Sequence, residues 1–282
     1  MLFRVLGLAG VILLIGIGFS VLQATARSSA TADLETTEPV RTADVEIDSG
    51  PVRLRARGRT GAEIATRSEY FLRRPTVTTD VVDEELRVRS SCDWPAGCEI
   101  AVDGRVPAET DFRVRTAGGG GVRVDGEPGA VSVGAAAGDV TVLGARRDVN
   151  VGTRSGDVLV EGAQRAVRAE SLSGEVVLRD LVGPIRARTA SGFVTGERLR
   201  ADEVEVESGS ARVRLDFAVP PERLEIDVTE GVVEIEVPAG AYRLDLDLGI
   251  GEEQIEGVTD DPDSSRRIIV RVSEGIARIT GR

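Results

Sequence analysis

From Val131 onward, apolar and polar residues alternate in short runs that recur every 18 residues. The runs read VSVGAAAGDVTVLG from Val131, VNVGTRSGDVLVEG from Val149, VRAESLSGEVVLRD from Val167 and IRARTASGFVTGER from Ile185. VEVESGSARVRLDF follows from Val204 after a spacing of 19. Each run holds two alternating segments around a small-residue turn centred on Ser-Gly, which predicts strand, turn, strand. Alternation places Val149 and Val151 on one face and Asn150 and Gly152 on the other, and Val158 and Val160 resume the inward face after the turn. One such unit cannot bury its apolar face alone, so neighbouring units must cover each other. The predicted fold is all-β, a single-chain parallel β-solenoid, β-helix- or β-roll-like, with coils of about 18 residues.

Diverged copies extend the pattern: VEIDSGPVRL from Val45, FRVRTAGGGGVRV from Phe112, LEIDVTEGVVEIEV from Leu224 and IIVRVSEGIARIT from Ile268. The last two align through Glu230-Gly231 and Glu274-Gly275. The period fails near residues 60–106, where AEIATRSEYF, VTTDVV, ELRVRS and CEIAVDG predict a hairpin-like insertion of antiparallel strands on the first coils. Residues 27–43, polar and nearly free of large apolar groups, predict a flexible linker, so the solenoid domain is expected over 44–282. Residues 1–26 predict a hydrophobic helix serving as membrane anchor or signal segment. Arg4 precedes an uncharged run over 5–22, and the next charges are Arg27 and then acidic residues, which orients the remainder outward. Eighteen helical residues span about 27 Å, just short of a bilayer core and long for a signal peptide. Two locations stay open: a single-pass cell-membrane protein with an extracytoplasmic body, or a protein secreted after cleavage near Ala26.

Composition narrows the chemistry. Aromatic residues make up only 3% of the chain, so the core must be built from small branched side chains suited to pleated surfaces. A net charge of −12 with no basic stripe in the sequence argues against nucleic acid as a partner. Every cation is Arg, with neither His nor Lys, so Ser-His-Asp triads, Cys-His pairs, imidazole metal sites, Schiff bases and Ser-Lys dyads are all excluded. No catalytic residue, cofactor site or metal site is assigned.

Stacking at the 18-residue period fixes which residues meet. Thr153, Ser171, Thr189 and Ser208 form one column, and Ser155, Ser173, Ser191 and Ser210 a second; both are read as hydroxyls bonding the turn backbone, with a ligand ladder as the alternative. Gly138, Gly156, Gly174 and Gly192 are structural turns needing positive φ or a tight fit between coils, and Ala211 breaks their column. Glu161, Arg179 and Glu197 fall into an alternating-charge column that tests the register. Asp139 and Asp157 begin an acidic turn column that Glu175 extends and Phe193 ends, too short for a calcium-binding β-roll. Asp260, Asp261 and Asp263 could hold a hard cation, but they lack the spacing of a defined loop and read as an exposed turn. Glu230 and Glu274 are the carboxylates a glycoside-cleaving reading would need. Cys92 and Cys98, the only cysteines, are expected to form a disulfide, since five residues including Pro95 and Gly97 can fold the chain back between them; two reduced thiols are the alternative. Trp94 lies within that loop, where it could cap the hairpin or serve as a contact residue.

The repeated strand, Ser-Gly-Asp-Val, strand unit, with Val106-Pro107 before it and Val237-Pro238-Ala239-Gly240 after it, resembles the bacterial putative-adhesin family of β-strand-repeat envelope proteins, a domain of unknown function. The resemblance covers roughly residues 40–282 and implies a non-catalytic role in surface interaction or envelope-stress signalling. It supplies no catalytic or ligand residues. Three functions are weighed: an interaction module for an envelope protein or glycan, a membrane-tethered accessory or sensor held through residues 5–22, and a polysaccharide-active enzyme supported by fold analogy alone.

Overall fold

The computed structural model describes residues 27–58, 60–92 and 97–282, and these are all-β. In chain order the strands are β1 (Arg27–Thr36), β2 (Thr42–Ile47), β3 (Val52–Ala56), β4 (Ala62–Phe71), β5 (Thr76–Val82), β6 (Glu85–Ser91), β7 (Cys98–Val106), β8 (Asp111–Thr116), β9 (Val122–Gly126) and β10 (Val131–Ala137). They continue as β11 (Val140–Leu143), β12 (Val149–Ser155), β13 (Val158–Glu161), β14 (Val167–Arg179), β15 (Ile185–Leu199), β16 (Glu203–Phe217), β17 (Arg223–Val237), β18 (Gly240–Glu256), β19 (Val258–Asp260) and β20 (Arg267–Gly281). All join in one 20-stranded sheet, nearly closed and barrel-like.

The 18-residue period is the pairing register. First strands pair in parallel through Val131, Val149, Val167 and Ile185, and second strands through Val140, Val158, Val176 and Val194. The inward column is almost fully buried: Val149 is 2% exposed, Val151 1%, and Val158 and Val160 0%. Each buried Val contributes roughly 1.5–3 kcal/mol, and a ladder of them stabilises the register because a one-residue slip would turn the whole set to solvent. Glu161, Arg179 and Glu197 are register partners as expected, although only Arg179 and Glu197 form an ion pair, at 2.9 Å.

The turns hold the coils at close range. Gly138, Gly156, Gly174 and Gly192 have φ of +109°, +137°, +145° and +137°. A Cβ on any of them would lie 2.2–2.4 Å from the carbonyl oxygen of the glycine one coil earlier. Only glycine satisfies both the dihedral and the distance. Ala211 follows Gly192 in this column, at the coil whose pairing is irregular between Gly196 and Leu199. Hydroxyls of the first column bond the turn carbonyls: Thr153 donates to Gly138 and Ser155, Ser171 to Gly156 and Thr189 to Ser191. The buried Ser208 hydroxyl has no such bond.

Four expectations need correction. The chain is not a uniformly parallel solenoid with coils in sequence order. β6 and β7 stack in parallel on β2 and β3, so half of the 60–106 insertion is itself a coil, placed outside the first one because β8 and β9 take the opposite side. At the far end β20 inserts between β17 and β18, leaving β18 as the last strand. Antiparallel strands occur where expected, with β5 on β6 and β4 on β7, and they cover edges that would otherwise present unpaired backbone groups.

The linker expected over 27–43 is in part a strand. β1 pairs antiparallel with β4 over its whole length, and the Thr66 and Ser68 hydroxyls donate to the carbonyls of Ala32 and Ala30. A polar segment extends here because a neighbouring edge supplies backbone partners. The N-terminal helix expected within 1–26 lies outside the described residues. The single-pass membrane location is corrected too: among the described residues no helix is long and apolar enough to cross a membrane, and both 5–22 and the cleavage position near Ala26 lie outside them.

Cys92 and Cys98 are joined in a disulfide, Cα to Cα 5.9 Å, closing the turn between β6 and β7. The Cys92 N–H donates to the Asp48 carboxylate, which ties this turn to the adjacent coil. Trp94 lies outside the described residues.

Candidate functional site

Parallel stacking turns the outward residues of the first strands into lengthwise columns. One runs Arg87, Asp44, Arg113, Ser132, Asn150, Arg168, Arg186, Glu205, Glu225, and its neighbour two residues on runs Arg89, Glu46, Arg115, Gly134, Gly152, Glu170, Arg188, Glu207, Asp227. Adjacent strands lie about 4.8 Å apart, so charges meet wherever opposite signs follow each other.

In the carboxyl-terminal half of this face the carboxylates of Glu205, Glu207 and Glu225 are engaged by arginines. Arg188 bonds Glu207 at 2.8 Å, Arg186 bonds Glu205, and Glu225 accepts from Arg271 at 2.7 Å and Arg223 at 2.6 Å. Arg188 holds the Glu207 carboxyl below the usual carboxylate range, and Arg271, followed by Arg223, does the same for Glu225. On the second-strand side Arg198 lowers Asp180 in the same way. At the opposite end Arg89 pairs with both Asp44 and Glu46.

Between these ends the pattern changes. Ser132, Gly134, Asn150 and Gly152 carry no charge and little bulk, and they floor an open groove of 760 Å³. Arg113 and Arg115 stand on one side, Arg154 lies beside the floor, and Arg168 stands one strand beyond Asn150, outside the groove's lining. All four arginines are exposed, and none has an ion pair or hydrogen-bond partner among the described residues. Arg168 has a second arginine, Arg186, as its next neighbour, and Arg186 is already engaged by Glu205. The sequence gives only a weak sign of this group, because Arg113 and Arg168 are 55 residues apart in a chain whose net charge is −12.

The residues singled out for chemistry have structural employment. Asp139 accepts the Asp157 N–H at 3.0 Å and Asp157 accepts the Glu175 N–H at 2.8 Å, so the short acidic column caps successive turns. Asp260 accepts from Leu244 N–H and Asp261 from Asp263 N–H, fixing the loop before β20. Among the described residues no group of three or more Cys, Asp or Glu is placed to hold a metal ion. Glu230 and Glu274 are brought together as register partners on β17 and β20. Both are exposed at the turn edge, and neither lines a groove that could position a sugar between two carboxylates.

No family model and no curated protein matches the chain. Solved structures similar to it include those described as putative adhesins, the resemblance already carried by the repeat. One from Bacteroides fragilis shares 14% identity with a TM-score of 0.40, covering 90% of this chain and 97% of its own. A putative lipid binding protein from Parabacteroides distasonis shares 11% at a TM-score of 0.41, with 90% and 97% covered. A putative cell adhesion protein from Clostridium sporogenes shares 10% at 0.26, with 90% and 100% covered. At such values the likenesses carry no argument about what this chain does.

Proposed function

We propose that this protein is a non-catalytic surface-interaction module, a β-solenoid that binds a glycan along the outward face of its first strands. The observation that carries the reading is the groove over Ser132, Gly134, Asn150 and Gly152, an open concavity in the outward face of the stacked first strands. A parallel stack presents hydrogen-bonding groups at a constant repeat of about 4.8 Å, a geometry suited to a polymer lying across several coils. A protein partner fits less well. Interface hot spots concentrate in buried aromatic and aliphatic anchors, whereas no aromatic residue lines this groove.

The enzyme reading has little support. Glu230 and Glu274 sit on an exposed turn edge, and of the carboxylates grouped on the first-strand face Glu205, Glu207 and Glu225 are engaged by Arg186, Arg188 and Arg271 rather than left free to flank a bond to be cut. The membrane-tethered sensor reading depended on the anchor and is not retained.

The test is retention of the full-length chain on immobilised neutral and acidic polysaccharides. Retention on at least one class is expected, with no shortening of the retained polymer. Gly134→Leu should abolish it, because a Cβ there meets no atom within 4 Å and the added side chain would stand in the groove. Failure of the wild-type chain to be retained on any polysaccharide would overturn the reading.

A further inference from the structure

The groove's charge pattern says which glycans it takes. Along the first-strand face, arginine is matched by carboxylate one coil on: Arg186 by Glu205, Arg188 by Glu207 and Arg271 by Glu225, with Arg89 answered by Asp44 and Glu46 at the other end. Arg113 and Arg115 have Asp44 and Glu46 as register neighbours, but Arg89 takes the ion pairs of both carboxylates, and Arg154 and Arg168 have no ion pair either; all four lie around the stretch of the face where both columns lose their charged side chains. In a chain of net charge −12, four arginines in adjoining coils that form no ion pair, of which Arg113 acts on Glu85 only at longer range, favour an anion. The Debye length is about 8 Å at physiological ionic strength, so a ligand on the floor responds to the groove's own side chains, these arginines together with Glu46, Asp48 and Glu170, far more than to the rest of the acidic chain.

We propose that this groove is a binding site for acidic glycans, polymers bearing carboxylate or sulfate groups, with Arg113 and Arg115 engaging anions at one wall and Arg154 beside the floor, and with Arg168 flanking the groove one strand beyond Asn150. The inference rests on the glycan-binding reading above and narrows it. The register places Arg115 and Arg154, which both line the groove, two strands apart and two residues offset, about 12 Å between Cα atoms. Two anionic groups separated by a sugar unit or two can therefore be held at once. Guanidinium is the side chain best shaped for this, since its planar fork pairs with carboxylate and sulfate oxygens through two parallel hydrogen bonds. Ser132 and Asn150, exposed on the floor between the walls, offer donors and acceptors for ring hydroxyls. Neutral sugars are the poorer fit, because their recognition leans on stacking against aromatic rings and none lines the groove. Nucleic acid is poorer still: a phosphate backbone needs a continuous basic stripe, whereas Glu46, Asp48 and Glu170 also line the groove.

Binding of the full-length chain is measured against an alginate oligosaccharide, chondroitin sulfate, dextran and single-stranded DNA, at low and physiological salt. The acidic glycans should bind, more weakly as salt rises, and dextran should not. Arg113→Ala with Arg154→Ala, both at positions lining the groove, should weaken acidic-glycan binding by at least about tenfold. Arg165→Ala, an exposed arginine off the groove, should leave it unchanged. The substituted positions are exposed, so thermal melts of the variants should match wild type, and Gly152→Leu supplies a charge-neutral block of the same floor. Acidic-glycan binding that ignores the double substitution would overturn the proposal. So would equal binding of dextran, or DNA bound more tightly than the glycans. Binding of dextran alone would refute this inference while leaving the glycan-module reading in place, and binding of no polysaccharide would remove both.

Discussion

Replacing Gly174 by Ala should destabilise the protein by about 2–6 kcal/mol, far out of proportion to one added methyl group. Gly174 has φ of +145°, a conformation an L side chain pays roughly 1–3 kcal/mol to adopt. The new Cβ would sit 2.2 Å from the Gly156 carbonyl oxygen and 2.8 Å from its carbon. Those are backbone atoms of the adjacent coil, held in place by the Gly156 N–H bond to the Ser173 carbonyl and by the register partners on either side, so they cannot swing away as a side chain would. Overpacking of this kind costs about 1–3 kcal/mol more. Gly152→Ala is the control: its φ is unremarkable and its Cβ would meet only the Glu170 carbonyl oxygen at 4.0 Å, so a change within about 0.5 kcal/mol is expected. Urea unfolding of the full-length chain, followed by circular dichroism, measures both. For a body of this size the Gly174 variant should melt roughly 5–20 °C lower. If the two variants unfold at the same denaturant concentration, the turn-glycine ladder is not what fixes the spacing of the coils.

The inward and outward assignment predicts that Val151→Asp, which puts a charge at a position 1% exposed, costs about 3–5 kcal/mol, whereas Asn150→Asp changes thermal stability by less than about 0.5 kcal/mol; similar melts for both would refute it. Thiol titration of the denatured, unreduced chain should find no free thiol, and Cys92→Ser should lower stability by about 2–3 kcal/mol because the bridged loop is short. The arginines that lower Glu207 and Glu225 stabilise the fold above the ordinary carboxylate pKa, and that contribution is lost as pH falls through the depressed values. Melting temperature should therefore hold level from neutral pH to about 5 and drop below about 4, with the acid limb shallower in Glu225→Gln; a decline already complete by pH 6 would show that other groups control it.

The sequence alone determined the repeating part of this molecule, for a physical reason. In a parallel stack the neighbour of residue 149 is residue 167, so the period read along the chain is the register, and the inward valines, the hydroxyl column, the turn glycines and the Glu161, Arg179, Glu197 column all follow from it. The disulfide was legible for a similar reason, since two cysteines six positions apart across a turn have no other partner. Where the period lapses, local pattern no longer names the neighbour. β6 and β7 alternate like any coil, yet only assembly decides that they lie beneath β2 and β3, and β20 reaches its place between β17 and β18 by bypassing β18 in the chain. β1 is polar enough to read as a linker and is a strand only because the free edge of β4 is beside it. The candidate site belongs to the same class. Which arginines form an ion pair depends on which coil comes next, so a charge count spread evenly along the chain conceals that Arg113, Arg115, Arg154 and Arg168 gather, without ion pairs, around a floor of glycine, serine and asparagine that only the stacked structure brings into being.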